Sequence, residues 1–322
     1  MTPRMPYVSV VDPIGPAIER VKTILFRPFS LERWLVIGFT AWLAYLGQRG
    51  GGGGGGGGGP HGTGGAPPDM RRGMENAREF LMDNLYWIVP AVIFVVAFVI
   101  ALMLVIAWLR SRGQFMFLYC VAQNKAEVKN PWRQFRAHGN SLFAFRVVVG
   151  IIVFVVMSVL IGLGGMVFYV SWKQSDFNAA SILAMVVCGT LAVAAGIAAA
   201  LVAKFTRDFV VPIMYLHTPS AVQGWHILLD LFSLNKARFF VYLLFQIVIW
   251  LAVSSIVVGG ICVTCCCALC ILVIPYVGTV LMLPLLVFQQ GYVLYYLAQY
   301  GPQFDTIAPA VEVIPPAAPP LA

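Results

Sequence analysis

Long stretches without charged side chains dominate the pattern of hydrophobic and polar positions along the chain. From residue 239 to residue 304 there is no Lys, Arg, Asp or Glu, and nearly all of the residues are apolar. A membrane-crossing helix needs about 20 predominantly apolar residues, so this stretch has room for two. Four shorter apolar runs precede it. The pattern predicts an all-α integral membrane protein with six transmembrane helices at residues 31–49, 85–109, 142–170, 181–203, 239–263 and 272–298.

Composition agrees with a fold that is solvated by lipid. The 322 residues are 60% hydrophobic and 11% charged, with a mean hydropathy of +0.85, whereas an ordinary soluble domain is roughly 25% charged. The net charge of +8 comes from basic residues beside the apolar runs. In that position Lys and Arg set the orientation in the membrane and meet anionic lipid. We therefore expect the bilayer and its anionic headgroups as partners, and no nucleic acid.

The distribution of Lys and Arg predicts which side each connection occupies. Fifteen of them lie before the first span, between the second and third spans, and between the fourth and fifth. Five lie in the alternate connections. By the positive-inside rule, both termini are then cytoplasmic.

Low-complexity segments divide the chain. We expect a cytoplasmic N-terminal segment at residues 1–30 and a six-span domain at residues 31–300. A flexible, glycine-rich external loop is predicted at residues 50–75, because ten consecutive glycines offer no side chains to bury. Residues 301–322 are rich in Pro and Ala and are predicted to form a disordered cytoplasmic tail.

Each cytoplasmic segment contains a stretch with apolar residues at helical spacing. The first spans residues 14–25, the second is looser, and the third spans residues 221–232. We expect two or three interfacial amphipathic helices with their apolar faces down. They either form a platform for partners or lipids, or attach the bundle to the cytoplasmic leaflet.

A partial internal repeat relates the last two of these segments. Each begins with an aromatic-led apolar stretch, at residues 115–121 and 209–216. A Trp, an Asn and a Phe follow at nearly matching spacings, as Trp132, Asn140 and Phe143 or as Trp225, Asn235 and Phe239. The pattern predicts a duplicated unit of span, interfacial helix and span, with a partial copy at the N-terminus.

Several phrases of the sequence carry a family resemblance. They are Asp-Pro-Ile-Gly-Pro-Ala at residues 12–17, Leu-Phe-Arg-Pro-Phe at 25–29, and Ile-Pro-Tyr-Val-Gly-Thr-Val at 274–280. With the glycine-rich loop, these segments resemble a group of uncharacterised bacterial multipass membrane proteins. That group is loosely similar to the membrane-domain part of glycerophosphodiester phosphodiesterases. The resemblance implies a bacterial inner-membrane protein of unknown function, and no phosphodiesterase site is present.

No candidate catalytic, cofactor or metal site emerges from the sequence. Five cysteines cluster at positions 262, 265, 266, 267 and 270, but the two CxxC pairs share too short a spacing for separate zinc knuckles. They suit apolar packing best, with a disulfide at the external turn or metal or redox use as alternatives. The four histidines are isolated, and no hydrolase or phosphate-loop motif occurs.

Basic residues on the cytoplasmic side are the candidates for contact with lipid or partners. They are Arg110, Arg112, Lys125, Lys129, Arg133, Arg136, Lys204, Arg207, Lys236 and Arg238. The one charge inside a predicted span, Arg146, lies near its cytoplasmic edge, where it can extend to lipid phosphate. Candidates for close helix packing are Ala192, Gly196 and Ala200, echoed by Ser158 and Gly162, and candidates for a helix kink are Pro275 and Pro284.

These patterns predict a non-enzymatic inner-membrane protein. We expect a scaffold, membrane-organising protein or accessory subunit that acts through its basic, amphipathic cytoplasmic face. Protein partners or a homo-oligomer fit that role. The alternative is a transporter or channel for a small or lipophilic solute that uses the kinked last span.

The predicted topology can be tested with reporter fusions. A reporter inserted at His61 and one placed after Pro302 should report opposite sides of the membrane, because the first position is predicted outside and the second inside. Alkaline phosphatase and green fluorescent protein activities measure the two sides. The same side for both positions would contradict the orientation.

Overall fold

A computed structural model of the chain describes residues 8–46, 83–174, 178–218, 220–264 and 274–307. Within these ranges the secondary structure is helical, without a strand. Two compact units divide the chain, Met1–Ala44 with Ser111–Ala322 and Tyr45–Arg110. The elements are α1 (Ile14–Leu25), α2 (Leu31–Ala44), α3 (Leu85–Gln123), α4 (Lys129–Gln134), α5 (Arg136–Gln174), α6 (Ala179–Phe205), a π-helical turn (Thr206–Val210), α7 (Val211–Leu216), α8 (Ala221–Leu234), α9 (Lys236–Val263), α10 (Pro275–Leu281), α11 (Leu283–Ala298) and a 3-10 turn (Pro302–Phe304).

Four helices in the described ranges are long and apolar enough to cross a membrane. They are α3, α5, the continuous helix Ala179–Leu216 formed by α6, the π-helical turn and α7, and α9. Four of the six predicted spans thus correspond to helices of sufficient length. The prediction of an all-helical fold is confirmed for the described residues, and four of its helices are candidates for membrane spans.

The first and last predicted spans differ from long, continuous helices. Helix α2 has 14 residues, about 21 Å at 1.5 Å per residue, and residues 47–49 of that predicted span lie outside the described ranges. The last span consists of α10 and α11, which meet at Met282. Pro284 lacks the N–H that would bond four residues back, which favours a helix end at this point. The six-span arrangement stays a prediction.

The long helices exceed what a bilayer requires. Helices α3 and α5 have 39 residues each, about 58 Å, whereas the hydrocarbon layer is about 30 Å thick. Each combines a charge-free section with mostly exposed apolar side chains and a section with buried ones. In α5 the charge-free section covers residues 147–172, whereas Gly139 and Leu142 near its start are buried.

The buried sections form what we call the aromatic core, made of residues 115–121, 209–214 and 292–297 together with Phe239 and Tyr242. Phe209 lies near its middle, with ring centroids 5.2 Å from Phe239, 4.9 Å from Tyr242 and 6.2 Å from Tyr296. Aromatic side chains bury about 150–250 Å² each and dominate the stability of such cores. This core joins α3, the π-helical turn, α7, α9 and α11.

Helix α1 packs against α11 along its buried face. Ala17, Ile24 and Leu25 are buried, and the Cα of Ala17 lies 3.8 Å from the position of a Cβ on Gly291. Backbone and side-chain bonds fix the same pair, because Tyr292 Oη donates to the Val10 carbonyl at 2.9 Å. The apolar face of α1, expected to lie in the headgroup region, is therefore covered in part by another helix.

The C-terminal tail begins later than predicted. Residues 301–307, assigned to a disordered tail at 301–322, contain the 3-10 turn, and both Phe304 and Thr306 are buried. The Phe304 ring lies 5.7 Å from the ring of His217. The buried side chain of Phe304 attaches this segment to the rest of the protein. The remaining residues of the predicted tail, 308–322, lie outside the described ranges, and so does the predicted glycine-rich loop at 50–75.

Helices α2 and α3 approach closely at a glycine. A Cβ on Gly113 would lie 2.6 Å from the backbone carbon of Leu43 and 2.7 Å from the Ala44 nitrogen. Backbone atoms cannot move aside as a flexible side chain can. The absence of a side chain at Gly113 is what permits this contact.

The predicted small-residue ridge does not mark a close contact. Helices α5 and α6 contact each other extensively, but a Cβ on Gly162 or Gly196 would meet nothing within 4 Å among the described atoms. Ala192 is half-buried and Ala200 exposed on the same helix. The nearer approach is at Gly164, where a Cβ would lie 3.5 Å from the Cβ of Cys188. Sequence spacing alone did not locate the contact face.

Two glycine substitutions should separate contact from helix propensity. Gly113→Ala should lower the melting temperature of the protein in detergent by several degrees, because the new methyl group collides with the backbone of α2. Gly196→Ala should leave it unchanged or raise it, since alanine favours a helix interior by about 0.5–1 kcal/mol over glycine and has open space there. Equal effects of the two substitutions would contradict the close approach of α2 and α3.

Candidate functional site

Two groups of hydrogen-bonded polar side chains lie between the exposed apolar sections of the long helices and the aromatic core. Asp208, nearly buried, sits at the centre of one such group. Lys204 Nζ lies 2.7 Å from Asp208 Oδ2, Tyr242 Oη donates to the same oxygen at 3.0 Å, and Arg207 Nε lies 3.3 Å from Oδ1. Gln246 completes the group, donating from Nε2 to Tyr242 Oη at 3.0 Å and accepting from Lys204 Nζ at 3.4 Å. We call this set of five residues the Asp208 network.

The π-helical turn positions the Asp208 network. Asp208 lies within that turn, where the Val211 N–H donates to the Thr206 carbonyl five residues earlier. The wider turn inserts one extra residue into the helix, so the residues on either side of it rotate relative to a regular α-helix. Such π-helical turns are rare in proteins, and many of those that occur lie at functional sites. Here it places a carboxylate against α9 and a phenylalanine, Phe209, in the aromatic core.

A second polar group links α3 to α5. Arg146 donates from Nη1 to Ser111 Oγ at 3.1 Å and from Nη2 to Gln114 Oε1 at 2.6 Å. Both acceptors are buried, so the structure corrects the expectation that Arg146 extends to lipid phosphate. The guanidinium of Arg146 therefore bonds to neutral acceptors inside the protein.

Arg112 belongs to the same region but contacts α4 and the start of α5. Its guanidinium carbon lies 5.0 Å above the ring of Trp132, and Nη2 donates to Asn140 Oδ1 at 3.1 Å. Gly139 leaves room for the Arg112 side chain, since a Cβ there would be 2.7 Å from Arg112 Cγ. The cation–π contact joins α3 to α4, and the hydrogen bond joins α3 to α5.

The ten basic candidates separate into two classes. Arg112, Lys204, Arg207 and Arg238 bond to side chains of the protein, Arg238 through its Nη1 to Asn235 Oδ1 at 3.1 Å, and Arg110 is half-buried with its own interactions. The other five are exposed on the described surface and form no ion pair with described residues, namely Lys125, Lys129, Arg133, Arg136 and Lys236. Only this second class is available to an external partner.

Two arginines outside the candidate set donate hydrogen bonds to backbone carbonyls at the C-terminal end of α3. Arg20 donates to the carbonyl of Val121 at 3.0 and 2.8 Å and to that of Ala122 at 2.6 Å. Arg33 Nη2 donates to the Asn124 carbonyl at 3.1 Å. The last carbonyls of a helix lack partners within it and attract cations. Burial lowers the pKa of Arg20, and these bonds explain why a partly buried guanidinium lies there.

Other candidates have simpler surroundings. Pro284 lies at the second position of α11, and Pro275 begins α10. Of the five clustered cysteines only Cys262 lies in the described ranges, where it is exposed and free. Among the described residues no three His, Cys, Asp or Glu side chains approach closely enough to hold a metal ion.

The extent of this architecture agrees with one protein family. Residues 8–307, nearly the whole chain and the full extent of the described residues, match the family of unknown function DUF7544. The chain belongs to DUF7544. No curated protein and no solved structure matches it. Membership in DUF7544 agrees with the expected uncharacterised family, whereas a bacterial origin and a phosphodiesterase likeness stay predictions.

Sequence reasoning assigned Lys204 and Arg207 in this DUF7544 member to the lipid-facing surface and overlooked Asp208. One signal was available, because Lys204 and Asp208 are four residues apart, the spacing at which helical side chains of opposite charge meet. We had placed these residues in a connection after the fourth span. The continuous helix Ala179–Leu216 shows that the pair lies within a helix.

The Asp208 network should contribute to stability through its nearly buried carboxylate. Lys204→Met should reduce the free energy of unfolding in detergent by on the order of 2 kcal/mol, because Asp208 loses its closest cation. Denaturant titration of purified protein measures the change.

Two controls sharpen this prediction. Lys22→Met breaks the exposed Glu19–Lys22 pair and should hardly change stability. The double variant Lys204→Met/Asp208→Asn should recover part of the loss, since it removes the uncompensated charge. A loss for Lys204→Met no larger than for Lys22→Met would show that the network is not structural.

Proposed function

We propose that this protein is a non-enzymatic, multi-pass inner-membrane protein that organises lipids or partner proteins at its cytoplasmic face. It would serve as a scaffold or accessory subunit, and its basic surface would recognise anionic phospholipid headgroups. The observation that carries the proposal is the exposed set Lys125, Lys129, Arg133 and Arg136 around α4. We call this set the basic strip.

The basic strip carries a clear excess of positive charge. Glu127 is the only carboxylate within residues 125–136, and one of its oxygens, Oε2, accepts from Asn130 Nδ2 at 2.7 Å. Lys129 and Arg133 are four residues apart on α4, the spacing of neighbouring side chains on one helix face, and Arg136 begins α5 directly after the turn at Phe135. Clustered cations next to membrane-spanning helices attract anionic lipid with about 1 kcal/mol per residue.

The opposite side of α4 is held firmly by the protein. Pro131 and Phe135 are buried, and the Phe135 ring lies 6.0 Å from Phe115 and 5.1 Å from Tyr215. On the same helix, the ring of Trp132 makes a cation–π contact with the Arg112 guanidinium. An element fixed in this way presents its charges without the entropy cost of ordering a loop, which suits a docking surface.

Six spans remain part of the proposal, with both termini cytoplasmic. Helix α2 runs antiparallel to α10, since Gly38 lies against Val280 whereas Trp42 lies 6.5 Å from Tyr276. A first span that leaves the cytoplasm and a last span that returns to it would run antiparallel in this way. The excess of basic residues on the side of α4 supports the cytoplasmic assignment.

Transport ranks second among the proposals. The break between α10 and α11 at Met282 is the feature that favours it, because broken helices line substrate sites in transporters. Around this break, however, α2 covers α10, with Tyr276 Oη donating to the Leu35 carbonyl at 3.0 Å. A break covered by another helix supports a packing role more directly than a pathway.

Lipid preference of the reconstituted protein tests the leading proposal. Spin-labelled phosphatidylglycerol should associate with it more strongly than spin-labelled phosphatidylcholine. The variant Lys129→Gln/Arg133→Gln/Arg136→Gln should reduce that preference at least threefold, because it removes most of the basic strip. The preference of the wild type should also fall as salt rises, since exposed charges are screened.

A matched control removes the same charge elsewhere. Arg27→Gln/Lys173→Gln/Lys236→Gln neutralises three exposed cations on separate elements and should keep most of the preference. An equal loss in both triple variants would assign the effect to net charge and contradict the basic strip. Absence of any preference in the wild type would also contradict the proposal.

A further inference from the structure

A cavity of about 350 Å³ opens at the surface between the start of α2 and the connection from α3 to α4. Small-molecule sites span about 300–1,000 Å³, so its size suits a small ligand. The lining combines four charged side chains with one amide and two apolar residues. They are Glu32, Arg33, Val36, Asn124, Lys125, Ala126 and Glu127.

The charges that line this cavity are of both signs and are not paired with each other. Two carboxylates, Glu32 and Glu127, and two cations, Arg33 and Lys125, share it, yet no ion pair joins any of them in the described part of the chain. Glu127 accepts from Asn130 and Arg33 donates to a backbone carbonyl. A cavity lined by unpaired charges of both signs is complementary to a ligand that itself carries a positive and a negative charge.

Asn124 adds a polar atom without a partner. Its backbone has φ of 54°, in the left-handed region that asparagine tolerates better than most residues. Arg33 holds the backbone carbonyl of Asn124 at 3.1 Å. The side-chain Oδ1 is buried and has no hydrogen-bond partner among the described residues. A buried acceptor without a partner is costly, so this amide marks a strained polar position next to the cavity.

The position of the cavity places it beside the membrane surface. Glu32 and Arg33 lie in the first turn of α2, where the first predicted span begins, and Val36 lies one turn further along. Leu35 and Phe39, on the same helix, are exposed apolar side chains. A charged cavity next to exposed apolar side chains has the polarity gradient of a lipid headgroup and its chain.

We infer that this cavity binds a zwitterionic ligand that combines a primary ammonium with a phosphate, as phosphoethanolamine does. The ammonium would be bound by Glu32 and Glu127, and the phosphate by Arg33 and Lys125. This chemistry is shared by a free phosphoethanolamine and by the headgroup of phosphatidylethanolamine. The inference is separate from the basic strip, although Lys125 belongs to both, because only the cavity needs carboxylates.

Equilibrium binding to the purified, full-length protein in detergent tests the inference. The probes are phosphoethanolamine, short-chain phosphatidylethanolamine, and the phosphatidylcholine of the same chain length. Phosphatidylethanolamine should bind at least tenfold more tightly than phosphatidylcholine, because a quaternary ammonium has no N–H to donate. Tighter binding of the lipid than of phosphoethanolamine assigns the site to a membrane lipid, and equal binding assigns it to a soluble ligand.

Two variants connect the binding to the cavity. Glu32→Gln/Glu127→Gln should weaken phosphatidylethanolamine binding at least tenfold, while the preference for phosphatidylglycerol stays the same or rises. Asp12→Asn/Asp230→Asn removes two exposed carboxylates elsewhere and should bind as the wild type does. Melting temperatures of both variants check that they fold.

The outcomes distinguish this inference from the proposed function. Loss of phosphatidylglycerol preference in the variant of the basic strip, with phosphatidylethanolamine binding intact, leaves the cavity assignment standing. Two results would overturn the inference. One is that the wild type binds neither phosphoethanolamine nor phosphatidylethanolamine. The other is that it binds phosphatidylethanolamine and phosphatidylcholine with equal affinity.

Discussion

Each long helix of this protein must satisfy two environments along its length. Hydrocarbon does not solvate ionised side chains, so a section of about 20–25 residues in α3, α5, α6 and α9 carries no charge. In α3 and in the continuous helix Ala179–Leu216 the helix continues beyond that section, and Phe115 and Phe209 are buried in these extensions. Tyr242 of α9 lies within the charge-free section and is buried against Phe209. Helix length therefore supplies part of the aromatic core, and the short helices α4 and α8 are positioned on it.

Two parts of the chain repeat one arrangement. In each, a long helix is followed by a short helix and another long helix, as α3–α4–α5 and as α6/α7–α8–α9. The N- and C-terminal helices are joined by direct contact, because α11 packs on α1 and Ser9 and Gln299 form two hydrogen bonds with each other.

Periodicity predicted the parts of this structure that follow from solvent alone. Charge-free runs identified the four long helices, and the phrases from residues 115 and 209 marked segments that are buried. Contacts set by neighbouring helices were less predictable. Gly196 fits a small-residue spacing and faces open space, whereas Gly113, which carries no such spacing, contacts the backbone of α2. The partners of Arg146 and the Tyr242 that donates to Asp208 likewise lie on other helices, whereas the Lys204–Asp208 pair shows the four-residue spacing of one helix.

The division of the cations follows from the acceptors within reach. Gln114 and Asp208 each precede the aromatic residue that begins a buried stretch, Phe115 and Phe209, and each binds a cation at the level of the core. One acceptor is neutral and the other charged, yet both keep a basic side chain from the surface. Residues 125–136 contain one carboxylate, Glu127, and no ion pair joins it to the basic strip in the described part of the chain. Positive charge therefore remains exposed at α4, and an external anion can neutralise it.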